Sequence, residues 1–361
     1  MNEMTLPGVY ITVRDEGLIS AGGVSVGNVG IVGESLEGPL NEPQILNSIA
    51  DANTIFGPKE GNTYTDEEQK ADLLIQSIEI LFGNGASTVY AVRAEPDHYK
   101  EALAALEQEI INIVLIAGKD AGASEVITLL QNHLNQTESI QRERIGIIGC
   151  NGTKDIKAIA NAKPVNDKGR LIYVAPGIQC SQTDPQTGQK STEALTGAYT
   201  AAAVAGTIAS LPVQTSPTNK TLNLEGLNLY FNHGQLSKLV SSNILVIEKR
   251  DGYRIVKGVT TSTNIAWSQI TTRRIVDKAT YGVRAACNPY IGKLNNERIR
   301  SAMKATIDSF LTRMVDEEAL TGYTLSVSAT RSQEISGQAM VIMTVQPTFS
   351  IDYIVVTMNL G

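Results

Sequence analysis

Only three cysteines occur in 361 residues, Cys150, Cys180 and Cys287, and none lies near another. Without a CxxC pair there is no zinc-binding pattern. An odd number of distant thiols fits a reducing compartment, and small buried hydrophobes are expected at these positions. Histidine is as sparse: His98, His133 and His233 stand alone, with no HExxH, so no metal site is predicted. No GxSxG elbow marks a nucleophile. Phosphate loops are missing too. There is no GxxxxGK[ST], and "YIGKLNN" lacks both the first glycine and the hydroxyl. Glycines 27, 30 and 33 do not form GxGxxG, and Glu34 stands where a phosphate would meet a carboxylate. No cofactor is expected, and an enzyme becomes the alternative reading.

Positive charge is in deficit. Lys and Arg number 30 against 37 Asp and Glu, a net charge of −7, and no basic stripe with interleaved aromatics exists. Nucleic acid is therefore not an expected partner. The longest apolar stretches, "IINIVLIAG" and "AAAVAGTIASLPV", are too short to span a bilayer, so no membrane insertion is predicted. The opening "MNEMTLPGVY" has neither a basic n-region nor an apolar h-region. No secretory signal is expected, and the product reads as cytosolic.

What is present is alternation. From about residue 28 to 176, apolar runs ("NVGIVGES", "STVYAVRA", "NIVLIAG", "RIGIIGC", "RLIYVAP") alternate with helical stretches. Near-continuous apolar strands between helices imply a sheet buried on both faces, a doubly wound α/β domain. In "TDEEQKADLLIQSIEILFGNG", Thr65 and Glu68 form a capping box and Ala71, Leu74, Ile78 and Leu81 one stripe. "GIQCSQTDPQTGQKST" reads as a surface loop, and "EALTGAYTAAAVAGTIASL" as a helix of small residues ended by Pro212. "NILVIEKRDGYRIVKG" reads as a hairpin turning at Asp251-Gly252. "WSQITTRRIVDKATYGVRAAC" starts as a strand and turns helical. Its Arg273-Arg274 pair could meet a carboxylate or phosphate, with a salt bridge the simpler reading. Asn296 caps a long helix with the stripe Ile299, Met303, Ile307, Phe310 and Met314. Three strand runs close the chain. The second half is thus α+β.

Both ends are strand-like. In "PGVYITVRD", Val9, Ile11 and Val13 alternate with Tyr10, Thr12 and Arg14. In "FSIDYIVVTMNL", Phe349, Ile351, Tyr353 and Val355 share one face, and Ile354, Val356 and Met358 the other. A strand apolar on both faces wants cover on both. Either the ends pair within their own domains, or each adds to a sheet of a neighbouring copy.

In this setting the sequence resembles the contractile tail sheath proteins of phages and phage-tail-like particles. The resemblance rests on "PGVYITVRD", "VGNVGIVGESLEGPLNEPQILNSIADANTIFG", "AYTAAAVAGTIASLPVQTSPTNKTL", "IVKGVTTST", "ITTRRIVDK", "LNNERIRSAMKATIDSFLTRM" and "IDYIVVTMNL", in that order. It implies an N-terminal arm over 1–25, an outer α/β domain over 26–190, a C-terminal α+β sheath domain over 191–345 and a C-terminal arm over 346–361. It implies no enzyme activity and a homo-oligomeric helical sheath around an inner tube, with baseplate and terminator proteins as further partners. Assembly in a bacterial cytoplasm, into a virion tail or a released particle, is also implied. The residues implied in arm strands are Val9, Tyr10, Ile11, Thr12, Val13, Tyr353, Ile354, Val355 and Val356. Arg298, Arg300 and Lys304 on the long helix are candidates for the tube contact. The enzyme alternative places a ligand at the strand ends of the first domain.

Overall fold

The computed structural model describes residues 26–59, 72–183 and 190–359, which divide between two compact units. The first spans Gly27–Pro212 and Ser216–Ile270. In chain order it contains β1 (Val29–Glu34), β2 (Gln44–Leu46), α1 (Ile49–Phe56), α2 (Leu73–Gly83), β3 (Val89–Ala94), α3 (Tyr99–Ala105), β4 (Ile113–Ile116), α4 (Ser124–Ser139) and β5 (Ile145–Gly149). Then come α5 (Ile156–Asn161), β6 (Leu171–Ala175), β7 (Ile178–Thr183), β8 (Lys190–Ala194), α6 (Gly197–Ser210), β9 (Thr221–Leu222), β10 (Gly226–Leu227), α7 (His233–Ser241), β11 (Leu245–Lys249) and β12 (Tyr253–Ile255).

Nine of the described strands form one sheet in the order β2-β3-β1-β4-β5-β6-β11-β12-β9. The six strands from β3 to β11 run parallel. Their side chains alternate between two cores, because successive residues of a strand point to opposite faces. Ile31, Leu115, Ile147, Val174 and Ile247 meet residues of α1, α2 and α6 on one face. Val32, Ile116, Ile148, Tyr173 and Val246 meet α3, α4, α5 and α7 on the other. This is the doubly wound arrangement that the near-continuous apolar runs predict. In α2, Leu74, Ile78 and Leu81 are buried as their spacing requires, and Asp72 caps the helix by accepting from the Ile75 N–H at 3.0 Å. Thr65, Glu68 and Ala71 lie outside the described residues. The small residues of α6 have a definite use. A Cβ on Gly206 would sit 2.4 Å from the Leu81 carbonyl oxygen, so the helix comes closer to α2 than a larger residue permits.

Three expectations need correction here. "GIQCSQTDPQTGQKST" contains not a plain loop but β7 and β8, paired antiparallel from Gln179↔Ala194 to Thr183↔Lys190 and joined by β10. Its Gln, Ser and Thr residues pair through the backbone without the apolar alternation that advertises a strand. The hairpin at Asp251-Gly252 exists, with φ of 48° and 96° at those residues, but β11 also pairs parallel with β6. The first unit therefore runs on to Ile270, and the boundary expected at 190/191 falls inside it. Finally, "WSQITT" contains no strand: residues 265–267 form a 3-10 turn and α8 (Ile270–Cys287) is helical from its start.

The described part of the second unit comprises Val26 and residues 213–215 and 271–359. After α8 come α9 (Glu297–Asp316), β13 (Leu320–Ser328), α10 (Arg331–Ile335) and β14 (Met340–Pro347), an α+β arrangement. Asn296 caps α9 through the Ile299 N–H, at 3.0 Å. Met303, Ile307, Phe310, Leu311 and Met314 turn one face of α9 into a core shared with Ile275, Val283, Leu320 and Val345. The Arg273-Arg274 pair is buried. Arg273 binds Asp277 at 2.7 Å, as an internal salt bridge, and Arg274 donates to the Val26 carbonyl at 3.1 Å. Among the described residues no helix is long and apolar enough to cross a membrane.

Candidate strand-addition site

Strands β13 and β14 form a two-stranded antiparallel ribbon, in register from Tyr323↔Val345 to Ser328↔Met340. Period two decides its faces. Tyr323, Leu325, Val327, Val341 and Met343 pack against the core that α9 supplies. Thr324, Ser326, Ser328, Ile342 and Thr344 are exposed. Each strand has its partner on one side only, so among the described residues both outer edges of the ribbon are open. An open edge is a row of N–H and C=O groups that can receive a further strand.

The segment after the ribbon has the opposite need. The Thr348 N–H still donates to the Ala319 carbonyl, at 3.1 Å. Beyond it, residues 351–359 belong to neither helix nor strand. Phe349, Ile351, Tyr353, Ile354, Val355, Val356 and Met358 are 59–91% exposed. These are seven of the eighteen exposed large hydrophobics among the described residues, in a stretch of ten. Such a concentration marks a surface that is covered in the working state. Tyr353, Ile354, Val355 and Val356 lie within it. The strand expected here is not formed, for no described segment supplies a ladder for it. Val9, Tyr10, Ile11, Thr12 and Val13 lie outside the described residues.

The three basic candidates on α9 are not alike. Arg298 and Lys304 are exposed. Arg300 is half-buried and spent inside the unit, bonding Glu334 at 3.0 Å and Asn295 at 2.9 Å. Helix geometry sets Arg298 and Lys304 about 120° apart, so the three do not make one gripping face. Sequence spacing could have excluded a shared face, but the Glu334 partner comes from another element and carries no local signal.

The strand ends of the first unit offer the ligand alternative a polar trio. β1 lies between β3 and β4, where the strand order reverses, the position at which such sheets receive ligands. Glu34, at its end, accepts the Tyr99 hydroxyl and pairs with Lys119 at 2.9 Å. Burial, and then the bond to Glu34, push the Tyr99 hydroxyl up to about 12. Burial works against charge on Glu34 and Lys119, but their bonds within the trio outweigh it. Glu34 is held below the ordinary carboxylate value and Lys119 above the ordinary amine value. Nothing in the trio titrates near neutrality, as an acid–base pair at pH 7 must. Cys150 and Cys287 are buried and their thiols pushed up to about 12 and about 11 by burial. Among the described residues no three His, Cys, Asp or Glu side chains are grouped to hold a metal.

A ribbon with open edges among the described residues, followed by an exposed apolar tail, presents the kind of surface that a further strand can complete. The phage tail sheath central domain matches residues 93–261, and the phage tail sheath C-terminal domain matches residues 262–361. The chain belongs to the phage tail sheath family, and its role is that of a structural subunit of a contractile sheath. Among curated proteins no sequence matches it. The fold is shared with the helical sheath of the anti-feeding prophage in its contracted state, with 18% identity, a TM-score of 0.73 and 99% of each chain covered. It is shared with the contracted sheath complex of PVC, an extracellular contractile injection system, with 16% identity, a TM-score of 0.72 and 99% of this chain and 98% of that one covered. The sheath tail protein of Desulfitobacterium hafniense is similar at 12% identity and a TM-score of 0.63, over 94% of this chain and all of that one.

Proposed function

We propose that copies of this chain polymerise into a helical sleeve around an inner tube, and that contraction of the sleeve drives the tube through a target envelope. Copies are linked by strand addition: the C-terminal arm over 346–361 of one copy, and the N-terminal arm over 1–25 of another, complete the β13–β14 ribbon of a third. The carrying observation is the coexistence, in one unit, of a ribbon with two open edges and a tail with seven exposed apolar side chains. Strand addition satisfies both, and a contact between unlike surfaces propagates instead of closing. Baseplate and terminator proteins cap the sleeve, and assembly takes place in a bacterial cytoplasm. The chain does no catalysis. Contraction draws on a metastable extended state, a bistable set of interfaces. Of the basic residues of α9, the exposed Arg298 and Lys304 remain the candidates for contact with the tube.

The test is electron microscopy of the purified chain in negative stain, beside a version lacking residues 350–361. Long hollow tubes from the full chain, lost on trimming, are expected. Discrete particles indifferent to trimming would overturn the strand-addition reading and return attention to the strand ends of the first unit.

A further inference from the structure

Two exposed patches outside the ribbon and tail complement one another. The first is a knuckle on the second unit. Asn295 donates to the Gln338 carbonyl at 2.8 Å, and Arg300 bridges Asn295 and Glu334 at 2.9 and 3.0 Å. These bonds tie the loop before α9 to the end of α10. Leu294 and Ile335 flank them and are 77% and 78% exposed. Lys293 and Arg331 stand beside the two apolar tips, exposed. Glu334 is the carboxylate among them, shared by Arg300 and Arg331, and neighbouring Glu297 and Arg298 offset each other. The knuckle is apolar at its tips and basic around them.

The second patch is an edge of the first unit. The Asn41 N–H donates to the Arg93 carbonyl at 2.9 Å, and Leu40 bridges Arg93, which sets Leu40 and Asn41 at the end of β3, while Ile45 in β2 lies opposite Tyr90. Leu40 is 40% exposed. Glu42, two residues on, and Glu95 and Asp97, just past Arg93, are exposed, while Arg93 is half-buried with its guanidinium on the Gly38 carbonyl. This edge is apolar and acidic.

The same contrast runs through the whole chain. The first unit has 19 basic against 26 acidic residues, and the second 11 against 11. We propose that the knuckle of Leu294, Ile335, Lys293 and Arg331 docks on the acidic edge of Leu40, Glu42, Glu95 and Asp97 of a second copy. The inference rests on the polymer reading above and adds to it a contact that uses neither arm. A second copy is the occupant because its surface charge is known from this sequence and is opposite where it must be. The contact joins unlike surfaces, so it too propagates along a polymer. Opposed charge of this kind selects partner and register more than it adds affinity, and is weakened by salt.

The test uses full-length chains. One copy carries Leu294→Cys and the other Leu40→Cys, with the parent chain as control for Cys180, and a short bismaleimide traps the contact. A mixed cross-linked dimer is expected between the two variants and in neither alone. Lys293→Glu with Arg331→Glu should cut its yield about tenfold, as should Glu95→Lys with Asp97→Lys. Mixing the two reversed chains should restore it to within about threefold. Absence of the mixed dimer overturns the contact whether or not tubes form. Reversed chains that fail to rescue one another also overturn it. Cross-linked chains in a preparation that forms no tubes would support this contact and refute the sleeve. Reversal that spares the dimer but abolishes binding of tube protein would reassign the knuckle to the tube and sink the proposal.

Discussion

Strands β4 and β5 and strands β13 and β14 are all apolar on their buried faces, yet the two groups end differently. The nine-stranded sheet is covered by helices on both faces and closes its margins with very short strands, β2 of three residues and β9 of two. The ribbon is covered on one face and exposes edges of nine and eight residues. Natural sheets protect edges by shortening, charging or covering them, and the first unit does so. The second leaves long edges and follows them with an uncovered apolar tail. The difference separates a sheet completed within one chain from a ribbon whose edges are open among the described residues.

The largest expected break in this comparison is removal of residues 350–361. Assembly should be lost outright, while the thermal midpoint of the remaining chain moves by no more than about 2 °C, since the tail's apolar side chains are exposed. A large fall in midpoint would mean that the tail is part of its own unit's core. The point-mutation version is next. Ile147→Ala, at 1% exposure in β5, should cost about 2–5 kcal/mol in denaturant unfolding. Ile354→Ala, at 81% exposure, should cost under about 0.5 kcal/mol but shorten or abolish tubes. Equal stability losses at the two positions would erase the distinction between the completed sheet and the open ribbon with its tail.

Much of the first unit was legible because burial on both faces writes itself into sequence. Ile31 and Val32 face opposite cores, so β1 must be apolar without interruption, and the same holds for β4 and β5. The α9 stripe was legible for the complementary reason, a single buried face at helical spacing. Less legible was whatever long-range pairing decides. β11 looks like half of a local hairpin, and only its parallel pairing with β6 assigns it to the first unit. β7 and β8 are held by backbone bonds under polar side chains, where period two is silent. Arg300 looked free on its helix because Glu334 lies 34 residues away. The tail's strand character depends on a partner, and none of the described residues of this chain provides one.

The first unit also carries a titration that the tail cannot. His133 is buried on α4 beside Arg144, whose guanidinium is held by the carbonyls of Leu106, Glu107 and Glu109. Burial first, then the charge of Arg144, push the His133 imidazole from 6.5 down to about 3. Its folded value lies below its unfolded one, so the stability that depends on its neutral form is complete above pH 6.5. That stability falls as pH drops from about 6.5 toward 3, where the unfolded chain takes the proton and the folded chain does not. The loss should reach a few kcal/mol, roughly. His133→Gln should flatten denaturant midpoints measured between pH 6.5 and 4.5, above the range in which carboxylates take over. An unchanged slope would place the acid sensitivity elsewhere.

The smallest expected effect sharpens the comparison on the surface of the second unit. Arg298 and Lys304 are exposed and about 120° apart on α9, whereas Arg300 is engaged with Glu334 and Asn295. Isolated surface charges contribute little to folding, so Arg298→Glu with Lys304→Glu should leave unfolding unchanged. If α9 faces the tube, the same pair should weaken co-sedimentation with tube protein by about three- to tenfold at low salt and much less at 0.5 M salt, because screening shortens the reach of exposed charge. Arg300→Ala should do the reverse, loosening the loop that holds Leu294 and sparing the tube contact. Reversal of Arg298 and Lys304 without any change in co-sedimentation would remove α9 from the tube interface, and would leave the knuckle, the ribbon and its tail as the parts of this unit proposed to meet other chains.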